Sequence, residues 1–123
     1  MKNDQNTYIQ ELRDLLKNFR DERDWSQFHT PKDLAEAISI EASELMELFL
    51  WKDDKTIKEK LQNDPGFKER VEEELADVIN YCLNMSNSLN MDISEIVHSK
   101  IAKAAKKYPI DKSKGTAKKY TEL

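Results

Sequence analysis

Two pairs of acidic residues lie within apolar helical patterns, each with its members three positions apart: Glu41 with Glu44, and Glu74 with Asp77. At about 100° per residue, each pair falls within about 60° of the apolar stripe of its own segment. The residues of these stripes are Leu34, Ile38, Leu45 and Leu48 in the first segment, and Phe67, Val71, Val78, Tyr81, Met85 and Leu89 in the second. A buried carboxylate without a partner is costly, so acids in such positions pair with cations or hold a metal ion. The pattern therefore predicts either inter-helix salt bridges or a metal site.

The chemistry of these donors favours a hard cation. An all-oxygen set is typical of Mg²⁺, with Mn²⁺ as the alternative. The chain has two histidines and one cysteine, with no Glu-x-x-His pair, which argues against zinc and di-iron sites. Two glycines far apart exclude a glycine-rich phosphate loop. A divalent cation polarises phosphate oxygens and lowers the pKa of bound water, and a carboxylate can act as general base. Metal-assisted phosphoryl hydrolysis is the reaction that these residues favour.

Three further side chains are candidates for a binding site. Trp25 and His29 lie in a segment without helical periodicity. They are suited to stacking on a nucleobase and hydrogen-bonding its edge, although local packing is the simpler interpretation. Lys100 falls between Ile93 and Val97 in the helical projection. We therefore expect it to face inward, where it would neutralise the acids or hold a phosphate; the alternative is an ordinary lysine with an exposed head group.

These residues are predicted to lie on an all-α scaffold. Capping signals and apolar periodicity predict helices over about residues 4–20, from Thr30 to about 51, from Asp64 to about 90 and from Asp92 to about 107. A short connector helix is expected around residues 56–61. Tyr108 and Pro109 end the last helix and begin an extended basic tail. The prediction is a four-helix bundle forming a single domain over residues 1–123.

The charge and composition of the chain limit the classes of partner that it is expected to bind. The net charge of −4 argues against nucleic-acid binding by the whole surface. Residues 100–119 nevertheless contain eight lysines and one acid, for which phosphate is the usual ligand when such a run has a role. We expect no membrane span and no signal peptide, and hence a cytoplasmic protein.

Several sequence blocks carry a family resemblance. The two acid pairs resemble the metal motif of the MazG-like all-α nucleoside triphosphate pyrophosphohydrolases, and further blocks resemble their dCTP pyrophosphatase branch. These blocks are Arg23-Asp24-Trp25-x-Gln27-Phe28-His29-x-Pro31, Glu47-Leu48-Phe49-x-Trp51-Lys52, Glu73-Glu74-Leu75-x-Asp77-Val78, Lys107-Tyr108-Pro109 and Lys119-Tyr120-Thr121-Glu122-Leu123. Together they cover nearly the whole chain in order.

The resemblance implies a function and assigns residues to it. It implies a MazG-like bundle that hydrolyses an NTP or dNTP, dCTP or a modified pyrimidine deoxynucleotide above all, to the monophosphate and pyrophosphate, as in nucleotide pool cleansing. The four acids would hold Mg²⁺, water would attack the α-phosphorus, and one glutamate would be the base. The implied nucleoside pocket consists of Trp25, His29, Trp51 and Tyr81, and the groups implied to face the phosphates are Lys100, Lys107 and Tyr108. A homodimer or homotetramer is also implied.

Two alternatives stay open at this level. The first is a non-catalytic helical protein whose acids form structural salt bridges and whose lysine-rich tail binds a partner. The second is a regulatory nucleotide-binding module without turnover. One departure bears on the substrate: Ala104 stands where many relatives carry Asn, four residues after the lysine that corresponds to Lys100. Ala104 therefore bears on the base preference and the metal geometry more than on the reaction class.

Overall fold

Short turns join the helices of the computed structural model, which describes residues 1–123 and contains no strand. The α-helices are α1 (Ile9–Glu22), α2 (Pro31–Glu47), α3 (Asp54–Asn63), α4 (Pro65–Leu89), α5 (Ile93–Lys107) and α6 (Ile110–Ser113). Two single-turn 3-10 helices lie at Ser26–Phe28 and Tyr120–Glu122. The predicted all-α class and the predicted connector helix, α3, are confirmed.

Helices α2, α4 and α5 begin at the capping residues that the sequence indicated. Thr30 Oγ1 accepts a hydrogen bond from the Asp33 backbone N–H at 3.3 Å, and Pro31 occupies the first turn of α2. Asp64 Oδ1 caps α4 in the same way, accepting from Phe67 N at 3.1 Å. Such caps satisfy backbone donors that lack a partner inside the helix, which is why the starts were predictable.

Two predicted helix boundaries were wrong. The first helix begins at Ile9, because the Tyr8 backbone N–H donates to Glu11 Oε2 at 2.7 Å and closes a capping box there. The second helix ends at Glu47 instead of near residue 51. Residues 48–51 form a turn, and Trp51 has a φ of 61°. A left-handed residue cannot continue a right-handed helix.

Within residues 1–90, the long helix α4 is the central element and packs against α1, α2 and α3. The buried apolar residues of this part are Leu34, Phe67 and Leu83, which are 1%, 2% and 6% exposed. Arg13 and Asn87 join α1 to α4 through two hydrogen bonds. Arg13 Nε donates to Asn87 Oδ1 at 3.2 Å, and Asn87 Nδ2 donates to the Arg13 carbonyl at 2.9 Å.

Residues 91–123 contain α5, α6 and the second 3-10 helix. The predicted extended tail is corrected in part, since the segment after Tyr108 forms two short helical turns. Ser113 Oγ donates to the Pro109 carbonyl at 2.6 Å and closes the first of them. The Tyr120 ring packs edge-on against Tyr108 at 6.0 Å, which holds the second turn near the end of α5. The four-helix bundle arrangement and the single domain remain predictions. None of the helices combines the length and apolar character needed to cross a membrane.

Candidate metal centre and adjoining cavity

The helices α2 and α4 bring three of the four predicted acids together. One carboxylate oxygen from each of Glu41, Glu44 and Glu74 lies within 4.8 Å of the other two. We call these three residues the acid cluster. Asp77 is outside this 4.8 Å group, but its charge acts on both Glu41 and Glu74. The i, i+3 spacing on two packed helices produces this arrangement, because each spacing places both acids on one helical face.

No basic side chain neutralises the acid cluster. The six ion pairs of the structure involve other acids, at Glu11, Asp21, Glu22, Asp33, Glu36 and Glu72. Glu41 Oε2 and Glu74 Oε2 are also buried without a hydrogen-bond partner. Buried carboxylate oxygens are normally paired or bound to a metal ion. Structural salt bridges, the alternative interpretation of these acids, are absent among these ion pairs.

The carboxylates of the acid cluster lie close enough to raise one another's pKa values. Burial, followed by the neighbouring Glu44, Asp77 and Glu74 carboxylates, raises the pKa of Glu41 to about 7. Burial and the charges of Glu44, Asp77 and Glu73 also raise the pKa of Glu74. Half-buried carboxylates that repel one another retain protons or attract a cation. The donor set is entirely oxygen, which fits a hard divalent cation such as Mg²⁺ or Mn²⁺.

A cavity of about 460 Å³ adjoins this cluster within residues 1–90. Its lining residues come from α1, the following turn and α4: Leu15, Leu16, Phe19, Arg20, Trp25, His29, Asp77, Asn80, Tyr81 and Asn84. Asp77 lines the cavity and also acts on the acid cluster, so the two features are contiguous. Apolar walls with a few polar groups are typical of small-molecule sites. Three residues of the predicted nucleoside pocket, Trp25, His29 and Tyr81, line it.

The 3-10 turn after α1 positions the first two of these residues. The Trp25 backbone N–H donates to the Arg20 carbonyl at 3.0 Å, and the Trp25 ring packs edge-on against Phe19 at 5.8 Å. The His29 carbonyl accepts from Ser88 Oγ at 2.7 Å, while His29 Nδ1 is buried without a partner. Burial, with a smaller contribution from the Arg20 charge, lowers the pKa of His29. The imidazole is therefore neutral near pH 7 and offers one donor and one acceptor.

The remaining predicted site residues do not line this cavity. Trp51 is 93% exposed in the turn after α2. Lys100, which we expected to face inward, is exposed on α5 beside an open groove that Ile96, Val97 and Lys103 also line. The helical period grouped Lys100 with apolar side chains of α5, but no other element packs over that face of the helix. Val97, for example, is 48% exposed.

Lys107 and Tyr108 lie at the C-terminal end of α5, where both contact Tyr120. Lys107 Nζ lies 4.7 Å from the centre of the Tyr120 ring, and Tyr108 packs against that ring. Within residues 91–123 these two side chains therefore hold the end of the chain. Their predicted role toward phosphate is not tested by these contacts.

Three polar residues of the cavity were not predicted: Arg20, Asn80 and Asn84. Asn84 is 8% exposed, and its Oδ1 has no hydrogen-bond partner. A signal for it exists in the sequence, since Asn84 is seven residues after Asp77 and falls within about 20° of it in projection. An amide on the same face as a candidate metal ligand and an aromatic residue could have been singled out. Arg20 carries no comparable signal.

Comparison with known proteins identifies the family. The sequence profile of the MazG-like family matches residues 37–123. The chain is 38% identical to dCTP pyrophosphatase 1 of Mus musculus in an alignment 122 positions long, and the match covers 94% of this chain and 67% of that protein. It is 35% identical to dCTP pyrophosphatase 1 of Homo sapiens over 122 residues, with the same shares covered.

A solved structure agrees with these relatives. The crystal structure of a pyrophosphatase from Archaeoglobus fulgidus is 39% identical in sequence and superimposes with a TM-score of 0.76. The match covers 89% of this chain and 99% of that one. The resemblance inferred from the sequence blocks is confirmed, and this chain belongs to the MazG-like family.

Proposed function

We propose that the protein is a nucleoside triphosphate pyrophosphatase that depends on a divalent cation, Mg²⁺ in the first place. It converts an NTP or dNTP to the monophosphate and pyrophosphate, with dCTP or a modified pyrimidine deoxynucleotide as preferred substrate. We propose a role in nucleotide pool cleansing for that reaction, and a location in the cytoplasm. The names of the similar proteins, two of them dCTP pyrophosphatases and one a pyrophosphatase, support the reaction class.

The observation that carries the proposal is the acid cluster without basic partners. Glu41, Glu44 and Glu74, with Asp77 beside them, would hold the cation. When bound, a divalent cation neutralises phosphate oxygens and lowers the pKa of an attacking water. The carboxylates would hold the cation at the triphosphate end of the substrate, and one of the glutamates would accept the proton of the water that attacks the α-phosphorus.

The adjoining cavity supplies the nucleoside site. Its volume of about 460 Å³ lies within the range of small-molecule pockets. Trp25 and Tyr81 offer ring faces or edges for a base and sugar, and the neutral His29 offers hydrogen bonds. Because Asp77 borders both cavity and acid cluster, a nucleotide in the cavity would place its phosphates at the acids. Trp51, Lys100, Lys107 and Tyr108 keep their proposed substrate roles only by family resemblance.

Product analysis on a panel of NTPs and dNTPs with Mg²⁺ tests this function, with Glu41→Gln as the inactive control. Monophosphate and pyrophosphate from the wild type alone establish the reaction, and the ranking of bases names the substrate. Nucleotide binding without product would favour the regulatory module, and neither binding nor product would favour a structural protein.

A further inference from the structure

Most polar residues that line the cavity already have a partner or a role. The Arg20 guanidinium is engaged by Asp21, with its Nε and a terminal nitrogen both 2.8 Å from Asp21 Oδ1. Asp77 belongs with the acids, and Asn80 is exposed. Asn84 differs because the whole residue is buried, at 8% exposed, and its Oδ1 has no hydrogen-bond partner; the half-buried His29 is the other lining residue with an unpartnered buried atom, Nδ1.

The lack of a hydrogen-bond partner for the buried Asn84 Oδ1 requires an explanation. Leaving a buried acceptor unsatisfied is unfavourable, and such groups in folded proteins are explained by water, strain or function. Nearby polar residues show that this part of α4 satisfies its groups where it can. Asn87 exchanges two hydrogen bonds with Arg13, and Ser86 Oγ donates to the Leu83 carbonyl at 2.7 Å. Only Asn84 among these borders the cavity.

The position of Asn84 along α4 matches the length of a nucleotide. Seven residues at about 1.5 Å each place it about 10.5 Å from Asp77 along the helix axis. Tyr81 lies between them, one turn after Asp77. A nucleotide whose phosphates lie at the acids would therefore have its sugar near Tyr81 and the outer edge of its base near Asn84.

We propose that Asn84 is a specificity-determining residue for the base, accepting a hydrogen bond from an exocyclic amine. The amide oxygen is an acceptor in need of a donor, and cytosine presents such a donor at the 4-position, where uracil and thymine present a carbonyl acceptor. An adenine amine would serve the same acceptor. This inference rests on the proposed function, since it takes the cavity as the nucleoside site.

The test compares dCTP with dUTP, because these nucleotides differ only at the edge that Asn84 would contact. The measurement is kcat/KM for each in wild type, Asn84→Leu and Asn87→Ala with saturating Mg²⁺. Leucine retains the side-chain size and removes the acceptor. We expect the wild type to prefer dCTP, and Asn84→Leu to lower the dCTP to dUTP ratio about ten- to a hundredfold.

Asn87→Ala is the matched control on the same helix. It removes the two hydrogen bonds with Arg13 outside the cavity, so it should lower the melting temperature and leave the ratio unchanged. An unchanged ratio in Asn84→Leu, an equal change in both variants, or a wild type without preference for dCTP would each overturn the inference. If Asn84→Leu does not fold, Asn84→Ala is judged by the same criteria.

Binding separates this inference from the proposed function. Calorimetric titration with the α,β-imido analogues of dCTP and dUTP measures base selection without turnover. A wild type that hydrolyses no nucleotide would refute the proposed function, and the affinity ratio of the two analogues in wild type and Asn84→Leu would still decide the role of Asn84. Equal affinities for both analogues in the wild type would overturn it.

Discussion

Glu41 is the residue on which the site most depends, because three other carboxylates act on it. Its Oε2 is buried without a partner, and its pKa is raised to about 7. A group in this state contributes repulsion to the metal-free protein, and that repulsion is relieved by a proton or a cation. Functional sites are where such unfavourable arrangements are retained.

Glu41→Gln should abolish turnover and preserve the fold. The amide keeps the size of the side chain but removes the negative charge that the cation requires, so we expect kcat/KM to fall at least about a hundredfold. Circular dichroism should be unchanged, and the melting temperature without metal should rise because one of the crowded charges is gone. The measurement is pyrophosphate release combined with thermal unfolding.

The control for this variant is Glu72→Gln on α4. Glu72 is exposed and pairs only with Lys68 at 3.5 Å, so its removal should leave activity unchanged. A Glu41→Gln protein that unfolds readily, or one that turns over normally, would contradict the assignment of Glu41 to the site.

The raised pKa values predict how stability depends on pH in the metal-free protein. Between the ordinary glutamate pKa of 4.5 and about 7, folded Glu41 binds a proton that the unfolded chain has released. Stability therefore falls as pH rises through this window. We expect the metal-free melting temperature to decline from about pH 5 to about pH 8, with a smaller decline in Glu41→Gln.

Mg²⁺ should reverse this decline. A cation that binds only the folded protein raises its stability, and it competes with the proton for the same oxygens. The rise in melting temperature on adding Mg²⁺ should therefore be larger at about pH 8 than at about pH 5. Equal rises at both values, or none, would mean that the acids do not bind the cation.

At the scale of elements, α4 organises the candidate site. It carries Glu74, Asp77, Tyr81 and Asn84 along one side, so it positions two of the four acids and one wall of the cavity, while α2 supplies the other two acids. Its start is set by Asp64, whose Oδ1 accepts from Phe67 N at 3.1 Å, and by Pro65 in the first turn. Phe67 is buried at that end and packs against Phe49.

Asp64→Ala should destabilise the protein by about 1 kcal/mol, because it removes the acceptor that caps α4. Urea unfolding measures the change in the free energy of unfolding. Asp64→Asn keeps an acceptor oxygen and should stay close to wild type. Equal losses in both variants would assign the effect to the charge of Asp64 instead of its hydrogen bond.

At the scale of the whole molecule, the predicted homodimer or homotetramer remains to be tested. The structure supports it through its exposed apolar side chains: Ile40 on α2 is 58% exposed, and Leu75 and Ile79 on α4 are 48% and 47% exposed. Leu75 and Ile79 are four residues apart and share one helical face. Uncovered faces of this kind are typical of protein interfaces.

We expect a mass in solution of at least twice the 14.4 kDa chain mass. Ile79→Lys should shift the mass toward a single chain, because it places a charge in the apolar face. Light scattering after size exclusion measures both. Ile110→Lys, at a position 79% exposed on the short α6, is the matched control and should leave the mass unchanged. A wild type of single-chain mass would contradict the prediction.

The sequence by itself determined the helical class, the starts of α2, α4 and α5 and the family, and it predicted the four acids as a metal site. These features depend on local capping, on the 3.6-residue period and on residue identity at short spacing, which are all visible along one chain. Trp25, His29 and Tyr81 were predicted for a nucleoside pocket, and the structure places them in one cavity.

The tertiary structure alone decided which of these residues meet. It brought Glu41, Glu44 and Glu74 within 4.8 Å and left Trp51 exposed. It also showed Asn84 at the cavity with an unpartnered oxygen. The physical reason is that a helical period assigns a residue to a face, whereas burial and partners depend on what packs against that face, and residues distant in sequence supply that packing.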